Sequence, residues 1–396
     1  MGKEFCLGID VGKYHHQASL INEHQTMVGE SLKFNNDQIG FEKLRQTIIA
    51  QLPPQTAVKI GMEATGHYYW HLKKYLLEHG FNHLEIINPI ETQRVAKTRI
   101  RKIKNDKVDS LAIAKIISSR EISPCAQDDQ ELKQLRELTR FCEKLKGQSR
   151  FYKQEIITLI ERLCPEFSAN FSNIFLATPL MVIEKYFIEN VEKDELARLI
   201  TKTSRGRIKE DKAKHIIDIL NNSLGSYYQS ENAAFQLKLI LQSLKMIKDQ
   251  IKQIQDQIKK QSQNFKQEIA FVESIKGVSN YMASAILSEL GDVNRFKNKG
   301  QIVAFAGLDP SVKESGQYKR KQGNHISKRG SKYLRKQLYY AAKTSILFDP
   351  ELKAFYQKKK AQGKHYNVIM VAIARKILLR VQAVLKQKRP YELRSS

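Results

Sequence analysis

The chain has 396 residues, a hydrophobic fraction of 41% and a formal net charge of +26, from 67 Lys and Arg against 41 Asp and Glu. That length suits two or three domains, and the apolar fraction is enough to build their cores. The charge excess is spread along the chain rather than gathered in a tail, which implies a polyanionic partner, nucleic acid first; a membrane surface is the weaker alternative, with no long apolar segment or signal peptide in view. Four isolated cysteines, Cys6, Cys125, Cys142 and Cys164, form no CxxC pair. They point to a reducing compartment and away from a zinc site.

The first predicted element is a β-hairpin. Phe5 to Asp10 is an apolar run ending in a carboxylate, a glycine follows at Gly12, and His15 to Ile21 is a second run. A carboxylate at the end or centre of a buried strand costs free energy unless a cation meets it. Asp10 is therefore either a first ligand of a Mg²⁺ site or a strand-end cap of a turn. Thr26 to Phe34 reads as a third strand. Asp37 to Gln51 reads as an amphipathic helix with Ile39, Phe41, Leu44 and Ile48 on its apolar side. A short strand, Ala57 to Met62, runs into Glu63; a helix (His67 to His79) and a strand (His83 to Ile87) follow. Three early strands and then helix–strand alternation describe a mixed sheet covered by helices.

Glu63 repeats the situation of Asp10. If the two strands lie side by side, their acids converge at one sheet edge, where ligands bind in α/β sheets. Asp106 and Asp109 are three apart at the start of a predicted helix and share one face. Acids there are also favoured by the helix N-terminus alone, and Asp106 could be a cap. Together the four acids form a hard-oxygen donor set suited to Mg²⁺, with Mn²⁺ as the alternative. Just before the pair lie Arg94, Lys97, Arg99, Arg101, Lys102 and Lys104, a basic run that beside a metal site is suited to phosphate contact.

Apolar or small residues then recur at alternating spacings of three and four: Leu135, Leu138, Cys142, Leu145, Ser149, Tyr152, Ile156, Leu159 and Leu163. A second series runs Leu237, Ile240, Leu244, Ile247, Ile251, Ile254 and Ile258. Both are coiled-coil seams, which can pair with each other as an antiparallel hairpin or with other copies of the chain. Between them lies an insert, about residues 169–228, which reads as a small helical subdomain with a basic turn and no chemistry of its own.

The last third opens with helix, Gly277-containing turn and helix (Val272 to Gly291), an arrangement that can offer turn amides to phosphates. Ser315 lies before Gly316 in a loop ringed by Lys313, Lys319, Arg320 and Lys328, with Arg329 close behind. On residue type alone Ser-Gly in a loop is a turn; as a nucleophile the hydroxyl would need activation, which cations or a metal could supply. A helix from Ser331 to about Leu347 carries Tyr333, Leu334 and Arg335, and a basic helix from about Asn367 to Lys386 closes the chain.

The acid quartet, together with Ala306-Gly-Leu-Asp-Pro310, Glu314-Ser315-Gly316, Ile326-Ser-Lys-Arg-Gly330 and Tyr333-Leu-Arg335, resembles the transposases of the insertion sequence 110 type, the bridge-RNA-guided recombinases, and the similar Piv-type DNA invertases. The resemblance covers both ends of the chain, with the coiled coil between them. It implies α/β plus all-α architecture: a RuvC-like, ribonuclease-H-like domain over 1–125, coiled-coil helices with their insert over 126–268, and a mostly helical transposase domain over 269–396. It also implies that Asp10, Glu63, Asp106 and Asp109 hold Mg²⁺ and that Ser315 attacks the DNA phosphodiester, Ser311 being the nearby competitor. The implied partners are target and donor DNA, a structured bridge RNA, and other copies of the chain, as a dimer of dimers with composite active sites. The implied location is the bacterial cytoplasm, at the nucleoid. Lys97, Arg99, Arg101, Lys102, Lys104, Lys313, Lys319, Arg320, Lys328, Arg329 and Arg335 are the expected nucleic-acid contacts. The chain is longer than compact members, the excess lying in the insert. Two other readings compete: a RuvC-like hydrolytic nuclease or junction resolvase with water as nucleophile, and a non-catalytic protein that bridges nucleic acids.

Overall fold

A computed structural model of the chain describes residues 4–53, 56–63, 66, 68–87, 91–92, 106–120, 130–225, 231–311 and 325–393. The chain divides into two compact units, Met1–Asp128 and Asp129–Ser396.

The first unit is built on one sheet. β1 (Phe5–Val11), β2 (His15–Ile21) and β3 (Leu32–Asn35) precede α1 (Gln38–Gln51), β4 (Val58–Glu63), α2 (Tyr69–Glu78), β5 (Leu84–Ile87) and α3 (Asp106–Ser118). The strand order is β3-β2-β1-β4-β5. The hairpin strands pair antiparallel, while β1, β4 and β5 run parallel. Side chains alternate across a strand. Leu7 and Ile9 of β1 accordingly join Ile60 and Met62 of β4 under Phe41, Leu44 and Ile48 of α1 and Leu72 and Leu76 of α2. Cys6, from the other face, joins Ile113, Ala114 and Ile117 of α3. Asp10 and Glu63 belong by alternation to this α3 face.

Two expectations need correction here. The third strand is only four residues long, and of the segment before it only Met27 forms a bridge, to Ile21. Ile39 is 83% exposed: it sits beside the N-cap Asp37, whose carboxylate accepts from the Gly40 amide, and the buried stripe starts one residue later.

The second unit is helical. α4 (Gln130–Leu163) leads to an insert of three helices, α5 (Ala177–Phe187), α6 (Lys193–Thr203) and α7 (Glu210–Asn222), and α8 (Glu231–Gln261) returns. Of the two pairings open to the seams, α4 and α8 form the antiparallel one within the chain. Leu135 shares a core with Ile258, while Ile156 and Leu159 share another with Leu237 and Leu244. α9 (Lys266–Glu273), α10 (Asn280–Leu290), α11 (Lys299–Phe305), α12 (Lys332–Phe348), α13 (Pro350–Ala361) and α14 (Tyr366–Gln387) complete the unit.

The closing helix, expected as a basic element, is the spine of this unit: Ile369, Met370, Ile373, Ala374, Ile377, Leu378 and Val381 are all buried. Its lysines and arginines occupy the remaining face. α13 was not anticipated, although Asp349-Pro350 is a helix-start signal; the buried Asp349 accepts from the Leu352 amide at 2.9 Å and pairs with Arg380 at 2.6 Å. Gly277, with φ +92°, has a packing reason: a Cβ there would stand 2.5 Å from the Ser345 backbone.

Candidate active site

The N-terminal site starts from two glycines. Gly8 of β1 and Gly61 of β4 are paired across the parallel ladder. A Cβ on Gly8 would lie 2.1 Å from the Ser110 carbonyl oxygen and 2.2 Å from the Ala114 amide nitrogen; one on Gly61 would lie 2.7 Å from Ile117 Cγ2. The missing side chains leave a groove in the sheet face into which the α3 backbone settles. The Ser19 and Ser110 hydroxyls, 2.7 Å apart, close a polar contact between β2 and α3 inside it. A glycine inside a strand marks such a close approach.

This docking sets the start of α3 against the sheet face to which Asp10 and Glu63 belong. Ile9 pairs with Met62, so Asp10 and Glu63 are the next positions on adjacent parallel strands. Asp106 and Asp109 form the first turn of α3. Burial first, then the charges of Glu63, Asp106 and Asp109, push the Asp10 carboxyl up to about 6. Glu63 accepts a hydrogen bond from the Thr92 hydroxyl at 2.9 Å. Asp109 is half-buried and Asp106 exposed. Among the described residues, no three His, Cys, Asp or Glu side chains are gathered closely enough to constitute a metal-binding group as they stand. The donor set nevertheless fits a hard dication in its chemistry, because three further carboxylates act against the charge of the partly buried Asp10, and among the described residues no cationic side chain is a leading influence on it.

The described part of the C-terminal site is a short stem formed by residues 309–311 and 325–327. Ser315, Lys313, Lys319 and Arg320 lie outside the described residues, as do Lys97, Arg99, Arg101, Lys102 and Lys104. The two sides of the serine loop are joined. Pro310 bridges Ile326 antiparallel, the Ser311 amide donates to the His325 carbonyl at 2.7 Å, and the Ser327 amide donates to the Asp309 carbonyl at 2.8 Å. The Ser327 hydroxyl donates to the Asp309 carboxylate. Ser311, the competing serine, spends its hydroxyl on the same His325 carbonyl at 2.8 Å.

Beneath the stem is a polar knot. Gly307 (φ +65°) and Gly330 touch backbone to backbone; a Cβ on Gly330 would lie 1.8 Å from the Phe305 carbonyl oxygen. Arg335, expected to contact nucleic acid, donates from Nη1 to the Ala306 carbonyl at 3.0 Å, and burial lowers its pKa. Ser331 caps α12 and donates to the buried carboxylate of Glu289 at 2.7 Å; Arg140 of α4 grips that carboxylate with two hydrogen bonds, of 2.5 and 2.8 Å. Lys328 and Arg329 remain exposed at the stem, Lys328 with φ +54°.

Sequence reasoning missed Gly8, Gly61, Ser110 and Glu289. The only sequence signal for the groove is a glycine in the middle of each of two apolar strands. Glu289 had none, because its partners are distant in the chain.

Two family models and several curated proteins match the chain. A family model described as a transposase of the DEDD, IS110 type matches residues 7–165, and one described as "Transposase IS116/IS110/IS902 family" matches residues 269–357. The pilin gene-inverting protein of Moraxella lacunata is 24% identical over 392 residues, 98% of each chain. The protein of insertion element IS116 from Streptomyces clavuligerus is 24% identical over 390 residues, 97% of this chain and 95% of its own. The transposase for insertion sequence element IS1111A of Coxiella burnetii is 30% identical over 123 residues, 30% of this chain and 33% of its own.

Proposed function

The chain belongs to the IS116/IS110/IS902 family of transposases, so that DNA recombination is its activity and DNA its partner, and on that footing we propose how it cuts and rejoins strands. The observation that carries the proposal is the crowding of Glu63, Asp106 and Asp109 around the partly buried Asp10. Strand order supports a RuvC-like reading of the first unit, with an antiparallel hairpin and third strand beside two further parallel strands. Asp10, Glu63, Asp106 and Asp109 would hold Mg²⁺, or Mn²⁺; bound there, it would act as a Lewis acid toward the phosphoryl oxygens.

The Ser315 hydroxyl is the nucleophile. Its oxygen forms a new ester bond to phosphorus as the bond to a sugar oxygen breaks, and the serine proton ends on the released sugar hydroxyl. One phosphoester is exchanged for another, so strand exchange can reverse the step without an external energy source. Lys328 and Arg329, with Lys313, Lys319 and Arg320, supply positive charge for the phosphate, and the stem with Arg335 and Ser331 supports the loop from below. The guide is a structured bridge RNA, pairing with target and donor DNA. The assembly is a dimer of dimers, in which acids and serine come from different copies. The setting is the bacterial cytoplasm at the nucleoid; no described helix is long and apolar enough to cross a membrane.

Covalent trapping tests this. The chain is expressed with its native flanking DNA, so that any guide RNA is present, supplied with Mg²⁺ and a nicked target, and run on a denaturing gel beside Ser315→Ala and Asp10→Ala. A protein–DNA adduct in the wild type that vanishes in both variants is the expected result. Cleavage without adduct, surviving Ser315→Ala but not Asp10→Ala, would replace this reading with a hydrolytic nuclease.

A further inference from the structure

The helical insert ends its second helix in an unusual way. α6 closes at Thr203, and the chain turns through Ser204, Arg205, Gly206 and Arg207 before α7 begins at Glu210. The turn is firmly tied. The Gly206 amide donates to the Thr201 carbonyl at 3.1 Å and the Arg205 amide to the Lys202 carbonyl at 3.0 Å. Ser204, buried, donates its hydroxyl to the Thr201 carbonyl at 2.9 Å and accepts from the Ile208 amide at 3.0 Å. Beneath it Leu196, Ile200, Ala213, Ile216 and Ile217 belong to a core that the insert shares with Ile156 of α4 and Leu237 of α8.

On this fixed backbone stand four exposed cations, Lys202, Arg205, Arg207 and Lys209. None of them forms an ion pair with a described residue. Cations elsewhere on the same subdomain do: Lys185 pairs with Glu189 at 2.5 Å and Lys214 with Glu210 at 2.9 Å. Arg205 is the more telling because its φ is +56°, a left-handed conformation that glycine adopts freely and an L side chain resists. Gly206 beside it, at φ +75°, shows the residue type that such a turn ordinarily takes. An arginine at a strained position, held out from a pinned turn and meeting no carboxylate among the described residues, has its use outside the protein. Guanidinium and ammonium groups on a rigid turn suit phosphates, and no exposed aromatic ring lies in this turn to stack a single strand.

We propose that the turn at 202–209 is a docking point for the phosphate backbone of duplex DNA, contacted without regard to sequence. The proposal rests on the family's action on DNA and not on the assignment of Ser315 or of the acids. It makes the insert a second grip on a DNA duplex, anchored in the core that it shares with α4 and α8.

The test is a salt titration of binding by the full chain to a random-sequence DNA duplex, with a base-paired RNA duplex in parallel. Arg205→Gly relieves the strained backbone while removing one cation, so it should melt at the same temperature as wild type or higher and yet bind DNA more weakly, with a salt slope smaller by about one. Lys202→Ala, Arg205→Gly, Arg207→Ala and Lys209→Ala combined should reduce the slope by roughly three and the affinity tenfold or more. Lys185→Ala, which removes a cation already paired to Glu189, should match wild type. The proposal is overturned if the combined variant, still folded, keeps the wild-type slope, if Lys185→Ala weakens binding as much as Arg205→Gly, or if the loss is confined to the RNA duplex. A failure of the Ser315 trapping experiment would leave this result unaffected.

Discussion

Two carboxylates, a buried one in the helical unit and a partly buried one in the sheet unit, show opposite electrostatic design. Glu143 of α4 is inside the helical unit with 4% of its side chain exposed. Burial works against its charge, but the ammonium groups of Lys336 and Lys146 outweigh it and hold the carboxyl down at about 2. Tyr281 adds a hydroxyl at 3.0 Å, and the Lys146 ammonium lies 3.7 Å above the Tyr281 ring centre. Asp10 is surrounded by more acids instead, and both burial and those charges push it up to about 6. Glu143 is complete within the chain: it ties α4 to α10 and α12. Among the described groups that act on Asp10 the carboxylates dominate, and no cation is a leading influence. A carboxylate with internal partners builds the fold, and one whose neighbours repel it costs the fold stability, a pattern that marks candidate functional sites.

The sharpest way to break this comparison is to neutralise Asp10. Asp10→Asn keeps the shape and removes the charge, so strand cleavage should fall by a thousandfold or more, roughly 4 kcal/mol of transition-state stabilisation. The unfolding temperature without Mg²⁺ should stay level or rise, because a repulsive contact has been lifted. Added Mg²⁺ should stabilise the wild type and leave Asp10→Asn unmoved. A variant that loses stability in proportion to its cleavage would place Asp10 with Glu143, as a structural group.

Glu143 gives the reverse pattern. Removing one partner of a buried ion pair costs about 3–5 kcal/mol when the other is left stranded. Lys146 and Lys336 are 29% and 27% exposed and can turn toward water, so Glu143→Gln should cost about 2–3 kcal/mol, measured by denaturant unfolding. The pH dependence follows from the sign of the shift. A carboxyl that binds its proton less readily when folded stabilises the fold above its ordinary value of 4.5, and that contribution is lost as pH falls toward 2. It amounts to about 3 kcal/mol, from a shift converted at about 1.4 kcal/mol per pH unit. Unfolding curves at neutral pH and near pH 3 should converge for wild type and Glu143→Gln as the acid limit is approached; a constant gap would contradict the pairing.

The same contrast explains how much was legible beforehand. The hairpin, the strand-end acids and the α3 pair are local patterns of period two and of spacing three, and the sheet places Asp10 and Glu63 on neighbouring parallel strands as their positions suggest. The seam residues of α4 and α8 were equally readable. The reason α3 packs so closely on this sheet face was not, because it lies in what Gly8 and Gly61 lack, and a missing side chain has meaning only once Ser110 and Ile117 are seen above it. Glu289 was illegible for a similar reason, its partners Arg140 and Ser331 being 149 and 42 residues away. The buried face of α14 was masked by its lysines and arginines, which occupy the opposite side of an otherwise apolar helix.

The smallest expected effect decides between the two serines of the loop. Ser311 lies on the stem, where the His325 carbonyl accepts from both its amide and its hydroxyl, at 2.7 and 2.8 Å. Ser311→Ala removes the second bond and leaves the first, so the carbonyl keeps a donor and the stem keeps its bridge between Pro310 and Ile326. The cost should be about 1 kcal/mol in stability, and covalent adduct formation should persist. A hydroxyl that must leave a backbone carbonyl before it can attack is a poor choice of nucleophile beside Ser315, which the Glu-Ser-Gly pattern singles out. Were Ser311→Ala to unfold like wild type and yet form no adduct, the stem hydrogen bond would be a resting contact of the true nucleophile, and Ser315 would revert to a turn residue.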